Sequence, residues 1–180
     1  MTPDFSDLLE ALESAVTQSG HKLTDLCGAS PTLLVFLRHS GCTFCREALG
    51  DLARVRDRIE RTGTRIILVH MGDGIESLIT KYGLQELDCI SDNDQMLYKA
   101  FGLKRGTSRQ LFGLRTLWRG FRAGIVDGHG IGKVTADATQ MPGVFLLANN
   151  AIVRRFRHRT AADRPDYAGM CSLGICPDRL

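Results

Sequence analysis

Cys42 and Cys45 stand in the run Ser40-Gly41-Cys42-Thr43-Phe44-Cys45, a CxxC spacing that can do redox chemistry. An apolar run, Leu33-Leu34-Val35-Phe36-Leu37, precedes the pair and reads as a buried β-strand. Arg46 to Arg61 follows it and reads as an amphipathic helix. Two sulfurs at such a junction sit at a helix start, where unpaired backbone N–H groups and the helix dipole favour a thiolate. A thiolate with a second thiol one turn away can form a mixed disulfide and then resolve it. On this reading Cys42 is the nucleophile, the more exposed sulfur and the lower in pKa, and Cys45, on the helix's inward face, is the resolving thiol.

The elements that position this pair follow from hydrophobic spacing. Phe5, Leu8, Leu9, Leu12 and Val16 mark an N-terminal amphipathic helix ending by Gly20, and Lys22 to Ser30 reads as a loop. Cys45, Ala48, Leu52, Val55 and Ile59 form the apolar face of the helix after the pair. Arg65 to His70 is expected as a buried strand and Gly72 to Tyr82 as a short helix. Asp88 to Ser91 fits a brief strand, and Asp92 or Asp94 a cap for a helix through Phe101. Ser108 to Phe121 is helix-like and Gly124 to Gly132 a loop. Val144 to Leu147 and Ala151 to Arg157 read as two strands joined at Asn149-Asn150 in a hairpin. Strand–helix alternation closed by a hairpin implies an α/β sandwich with a mixed sheet. Residues 1–180 are expected as one domain, with a helix in 1–20 and an irregular tail over 168–180.

Composition narrows the setting. The 180 residues carry a formal net charge of +3, 43% hydrophobic and 24% charged residues, ordinary for a globular chain, so nothing favours a nucleic-acid or membrane partner. No stretch approaches the ~20 apolar residues of a membrane-spanning helix, and the acidic N-terminus is unlike a signal peptide. The cytoplasm is the expected location, where thiols stay reduced and CxxC is catalytic or metal-binding rather than structural. No cofactor is expected. A zinc site is the rival reading and needs two further ligands. Cys171 and Cys176 would have to supply them, at a spacing no standard site uses, so no metal is expected.

The chain resembles the thioredoxin fold, because CxxC follows the first core strand and Met141-Pro142 stands just before the hairpin. Within that superfamily it is similar to the peroxiredoxin-like AhpC/TSA-type proteins, including the SelL-related redox proteins. The matching residues are Val35-Phe36-Leu37-Arg38-His39-Ser40-Gly41-Cys42-Thr43-Phe44-Cys45-Arg46-Glu47, then Tyr98 to Leu103, then Arg157 to Asp166. The resemblance implies a thioredoxin-like three-layer sandwich, a mixed central sheet with helices on both faces. It also implies a cis peptide before Pro142, facing the sulfurs and offering the backbone of residue 141 to an extended substrate. The implied activity is thiol-dependent reduction of peroxides or disulfides, reset by a thioredoxin- or glutathione-type reductant. Peroxiredoxins carry Pro-x-x-x-Thr/Ser-x-x-Cys. With Cys45 as the cysteine of that motif, Cys42 replaces the threonine and Arg38 the proline, which favours disulfide exchange over fast peroxide reduction.

Around the pair, Arg38 either supports the thiolate or makes a surface ion pair. His39 either moves a proton or sits in a solvated loop. Arg46 either holds an anionic substrate, pairs with Glu47 or an acid near Glu60, or decorates the helix surface. Lys104, Arg105, Arg109, Arg115, Arg119 and Arg122 form a basic segment that reads as a solvated helix face or a docking surface. Cys171 and Cys176 are either a relay pair or inert, and Cys27 and Cys89 read as small buried hydrophobes. A non-enzymatic redox sensor, whose CxxC state controls a partner, is the alternative to an enzyme.

Overall fold

A computed structural model of the chain describes residues 5–38, 40, 42–107 and 139–172. Among the described residues eleven elements run in the order α1 (Phe5–Ser14), α2 (Leu23–Ala29), β1 (Thr32–Phe36), α3 (Thr43–Glu60), β2 (Arg65–His70), α4 (Ile75–Lys81), β3 (Asp88–Ser91), α5 (Met96–Ala100), β4 (Gly143–Ala148), β5 (Ala151–Arg157) and α6 (Tyr167–Cys171). The strands form one 5-stranded sheet in the order β3-β2-β1-β4-β5. β1, β2 and β3 are parallel, β4 runs antiparallel to β1, and β5 returns antiparallel to β4.

β1 is central because every one of its residues is buried, as expected of a strand covered on both faces. Leu34 and Phe36 face one layer, packed with Leu12 of α1, Leu23 of α2 and Tyr98 of α5. Leu33, Val35 and Leu37 face the other, packed with Leu49 and Leu52 of α3, Ile75 of α4 and Tyr167 of α6. Burying each such side chain contributes about 1.5–3 kcal/mol, so two dry layers fix the sheet on which the cysteine loop rests. Asn149 and Asn150, at φ 50 and 60, supply the two left-handed residues of the tight β4–β5 turn. The Asp92 carboxylate accepts from the N–H groups of Met96, at 2.9 Å, and Tyr98, at 3.1 Å, and so caps α5. At the outer edge of β3, Gln18 acts in place of a further strand. Its N–H donates to the Cys89 carbonyl at 2.9 Å, its Nε2 donates to the Leu87 carbonyl at 3.0 Å, and its Oε1 accepts from the Cys89 N–H.

The mixed α/β sandwich agrees with the sequence reading, with three local corrections. Lys22 to Ser30 is mostly the helix α2, because Leu23, Leu26 and Cys27 share one buried face. The first helix stops at Ser14, and Val16 is 47% exposed in a bridge to Lys22. The tail is not irregular throughout: Tyr167–Cys171 is helical, capped by the Asp166 carboxylate, which accepts from the Gly169 N–H at 2.9 Å. The expected helix over 108–121 and loop over 124–132 lie outside the described residues, as does 173–180.

Candidate functional site

The cysteine loop begins where β1 ends. The Leu37 N–H still donates to the Val69 carbonyl at 2.8 Å, and the next N–H, that of Arg38, turns to Cys45 Sγ. α3 starts at Thr43, three residues before the sequence reading places it, with Cys42 in extended conformation as its N-terminal cap (φ −79, ψ 120). Both sulfurs are buried, Cys42 at 6% exposure and Cys45 at 3%, so exposure does not distinguish them as expected.

Electrostatics does distinguish them. The Arg38 Nη1 donates to Cys42 Sγ at 3.4 Å, and the Arg38 backbone N–H donates to Cys45 Sγ at 3.1 Å. The Cys42 pKa is drawn down from 9.0 to about 6. The main cause is a hydrogen bond from the Cys45 thiol; burial opposes it, and the Arg38 charge and the amides of Cys45 and Phe44 add to it. Cys45 is pushed well above 9.0, first by burial and then by Cys42. Burial also raises Cys27, Cys89 and Cys171, each to about 11. Among the described cysteines, Cys42 is therefore the thiolate at neutral pH, held beside a protonated second thiol.

A cavity of about 20 Å³, room for one water-sized molecule, lies on the inner side of the pair, lined among others by Arg38, Phe44, Cys45, Glu47, Pro142 and His158. Its far wall carries buried charge. Glu47 and Asp51, one turn apart on α3, have side chains only 5% and 10% exposed. Arg164 reaches both: its Nη1 is 3.6 Å from Glu47, and its Nε and Nη2 donate to Asp51, which also accepts from Arg54. This clasp ties the segment after β5 to α3. His158 packs edge-on against Phe156 at 5.1 Å, and its Nδ1 is buried without a hydrogen-bond partner. Burial drives its pKa from 6.5 down to about 4, so the imidazole is neutral at pH 7.

The structure brings Arg38 to both sulfurs and sets Pro142 in the cavity wall with Arg38 and Cys45. Arg38 is 6% exposed, so its surface reading falls. The Met141–Pro142 bond is trans, against the expected cis form. Trans remains the lower-energy isomer for most X-Pro bonds, and the approach is held by local bonds. The Met141 N–H donates to Lys104 O at 3.2 Å, and Gln140 Nε2 donates to Met141 O at 3.2 Å and to Leu103 O at 3.1 Å. The backbone at 141 is thus engaged internally, although Pro142 still lines the cavity. Arg46 Nε donates to Ser40 O at 3.4 Å, bracing the cysteine loop. Cys171 is buried near Thr64, at the end of the sheet opposite the CxxC, where Arg65 pairs with Thr32. The length of β1, about 17 Å, separates it from the pair, so it serves there neither as relay nor as zinc ligand. His39, Cys176 and the basic segment beyond Lys104 and Arg105 lie outside the described residues.

The sequence reading assigns no role to Asp51, Tyr98, His158 or Arg164, and to Glu47 only a pairing with Arg46. One indication was present: Glu47 and Asp51 flank Ala48 and Leu52 on the inward edge of α3, where a carboxylate needs a cation. That cation lies 113 residues away, so spacing alone does not reveal it.

A family model described as AhpC/TSA antioxidant enzyme matches residues 51–161, beginning just after the cysteine pair. A search of curated protein sequences finds no match. Among solved structures, the bacterioferritin comigratory protein of Xanthomonas campestris, described for alkyl peroxide reduction, is 18% identical, with a TM-score of 0.55 over 90% of this chain and 88% of that one. A secreted disulfide oxidoreductase of Mycobacterium tuberculosis homologous to E. coli DsbE is 15% identical, with a TM-score of 0.54 over 90% and 96%. Peroxiredoxin 6 of Arenicola marina is 13% identical, with a TM-score of 0.59 over 87% and 66%. At these identities the likeness shows the fold, which is thioredoxin-like.

Proposed function

The chain belongs to the AhpC/TSA antioxidant enzyme family, and on that premise we propose that its oxidoreductase chemistry runs through Cys42 as nucleophile and Cys45 as resolving thiol, with Arg38 holding the thiolate. Peroxides or disulfides are the substrates and thiols the reductants. In the exchange reaction the Cys42 thiolate attacks one sulfur of a disulfide and expels the other as a thiolate. Cys45 then gives up its proton and attacks Cys42, releasing the second half and closing Cys42–Cys45. With a peroxide, Cys42 becomes a sulfenic acid and Cys45 condenses with it, releasing water. A thioredoxin- or glutathione-type thiol reduces the pair again, in a reducing compartment such as the cytoplasm.

The observation that carries this reading is the asymmetry of the pair: Cys42 is lowered to about 6 while Cys45 is raised. Disulfide exchange is the faster mode. With Cys45 aligned to the motif cysteine, the position of the peroxide-orienting threonine is taken by Cys42 itself, and the side chains that donate to Cys42 Sγ are those of Cys45 and Arg38. Pro142 forms part of the cavity wall beside Cys45.

The test is stopped-flow oxidation of the reduced protein by one equivalent of hydrogen peroxide and, separately, of an aromatic disulfide, with disulfide mapping by mass spectrometry. Cys42→Ser is expected to abolish both reactions, and Cys45→Ser to stop at a mixed disulfide or sulfenic acid on Cys42. A Cys42→Ser protein that reacted normally would overturn the assignment.

A further inference from the structure

Tyr98 is fully buried in the layer of α1, α2 and α5, on the opposite face of the sheet from Cys45. Its ring packs edge-on against Phe36 at 5.0 Å. Its hydroxyl passes the end of β1, donating to the Leu37 carbonyl and lying 3.2 Å from the Val69 carbonyl. Val69 O already accepts from the Leu37 N–H in the ladder. Leu37 O lies beyond the last residue of β1, and the tyrosine supplies its donor.

The Leu37 carbonyl and the Arg38 N–H belong to one peptide group. In a trans peptide the two point in opposite directions, and here the N–H side ends on Cys45 Sγ at 3.1 Å. A hydrogen bond received at the oxygen draws electron density from the nitrogen and makes the N–H a better donor, a cooperative gain of about 10–30% per bond. A thiol sulfur is a weak acceptor and a thiolate a strong one, so the improved donor acts mainly on the ionised form. We propose that Tyr98 is a positioning residue for the resolving step, fixing and polarising the 37–38 peptide so that its N–H stabilises the Cys45 thiolate as it attacks Cys42.

The proposal rests on the reading of Cys45 as the resolving thiol and assigns nothing to the first attack. The groups around Cys45 are Cys42 and Arg38 at the loop, Glu47 and Asp51 on α3, His158 and Arg164 across the cavity, and Tyr167 of α6. Replacing Tyr98 leaves all of them in place.

One equivalent of a chromogenic aromatic disulfide separates the two steps. Attack by Cys42 releases the first aryl thiolate, and attack by Cys45 on the mixed disulfide releases the second. In Tyr98→Phe the first phase is expected unchanged and the second about 1.3- to 4.5-fold slower at each pH, from the 10–30% share of a charge-assisted bond. In protein carrying 3-fluorotyrosine at residue 98, whose hydroxyl is a stronger donor of nearly the same size, the second phase is expected to quicken. A second phase unchanged in both, or slowed equally in both, would overturn the proposal, the latter marking a packing role alone. If Tyr98→Phe does not fold, the fluorinated protein decides by itself. A Cys45→Ser protein that still released the second thiolate would instead refute the underlying assignment of Cys45.

Discussion

Replacing Arg38 with methionine isolates one cause of the depressed Cys42 pKa. Methionine keeps an unbranched stem, and the backbone N–H that reaches Cys45 is unaffected. The fall from 9.0 to about 6 corresponds to about 4 kcal/mol at 1.36 kcal/mol per unit. Bare Coulomb attraction across 3.4 Å would give about 5 kcal/mol at an effective dielectric of about 20, more than the whole net fall. The Cys45 thiol is also the larger contributor. The better guide is the worth of a hydrogen bond to a charged group, about 1.5–3 kcal/mol, or about one to two pH units. Cys42 in Arg38→Met is therefore expected to titrate between about 7 and 8. At pH 7 its thiolate fraction falls about two- to tenfold, and so does its rate of alkylation by iodoacetamide. The assay is that rate against pH, with the modified cysteine located by peptide mapping. A midpoint that stayed near 6 would refute the role of the guanidinium and leave the Cys45 thiol and the helix amides as the cause.

Two further expectations concern the groups around the cavity. His158 has a folded pKa of about 4 against 6.5; the stabilisation from burying it neutral is present in full above 6.5 and lost as pH falls through 4, up to about 3 kcal/mol. His158→Gln should therefore flatten the fall in urea-unfolding free energy between those two pH values, and an unchanged slope would count against this source of acid sensitivity. Arg164→Met leaves Glu47 and Asp51 buried without their shared cation. Because Arg164 is 45% exposed, the loss should fall below that of a fully buried pair, about 1–3 kcal/mol by urea titration. A loss indistinguishable from zero would mean that the clasp does not hold the segment.

Three strands keep the bounds read from sequence, Arg65–His70, Asp88–Ser91 and Ala151–Arg157. α2 was not legible, because a helix of 7 residues carrying Gly28 in its last turn and lacking a side-chain cap has little propensity of its own and forms by docking Leu23, Leu26 and Cys27. At the site, the CxxC and the direction of its asymmetry were legible, but not the main cause, since the hydrogen bond from the Cys45 thiol lowers Cys42 more than Arg38 or the helix-start amides do. The Arg38 contact was half legible, since strand periodicity places the residue beside the sulfurs but does not settle which way its side chain turns. Tyr98 was masked by its apolar surroundings: in sequence it is one more core aromatic, and its hydroxyl matters only once β1 ends beside it. The trans bond before Pro142 was misread because family resemblance replaced the local contacts of Gln140, Met141 and Lys104 as the guide.

Gln18 gives the sheet a polarity of access. An unguarded outer strand presents a row of donors and acceptors that invites another chain and, through it, aggregation. By engaging Leu87 and Cys89 with both its main chain and its amide, a single glutamine makes that border unreceptive without extending the sheet. Among the described residues, the border left for strand addition is β5, whose neighbour β4 carries the Val144 side of the cavity wall. A strand that lengthened the sheet would therefore add at β5, two strands from β1, on the side where Pro142, Val144 and His158 line the cavity.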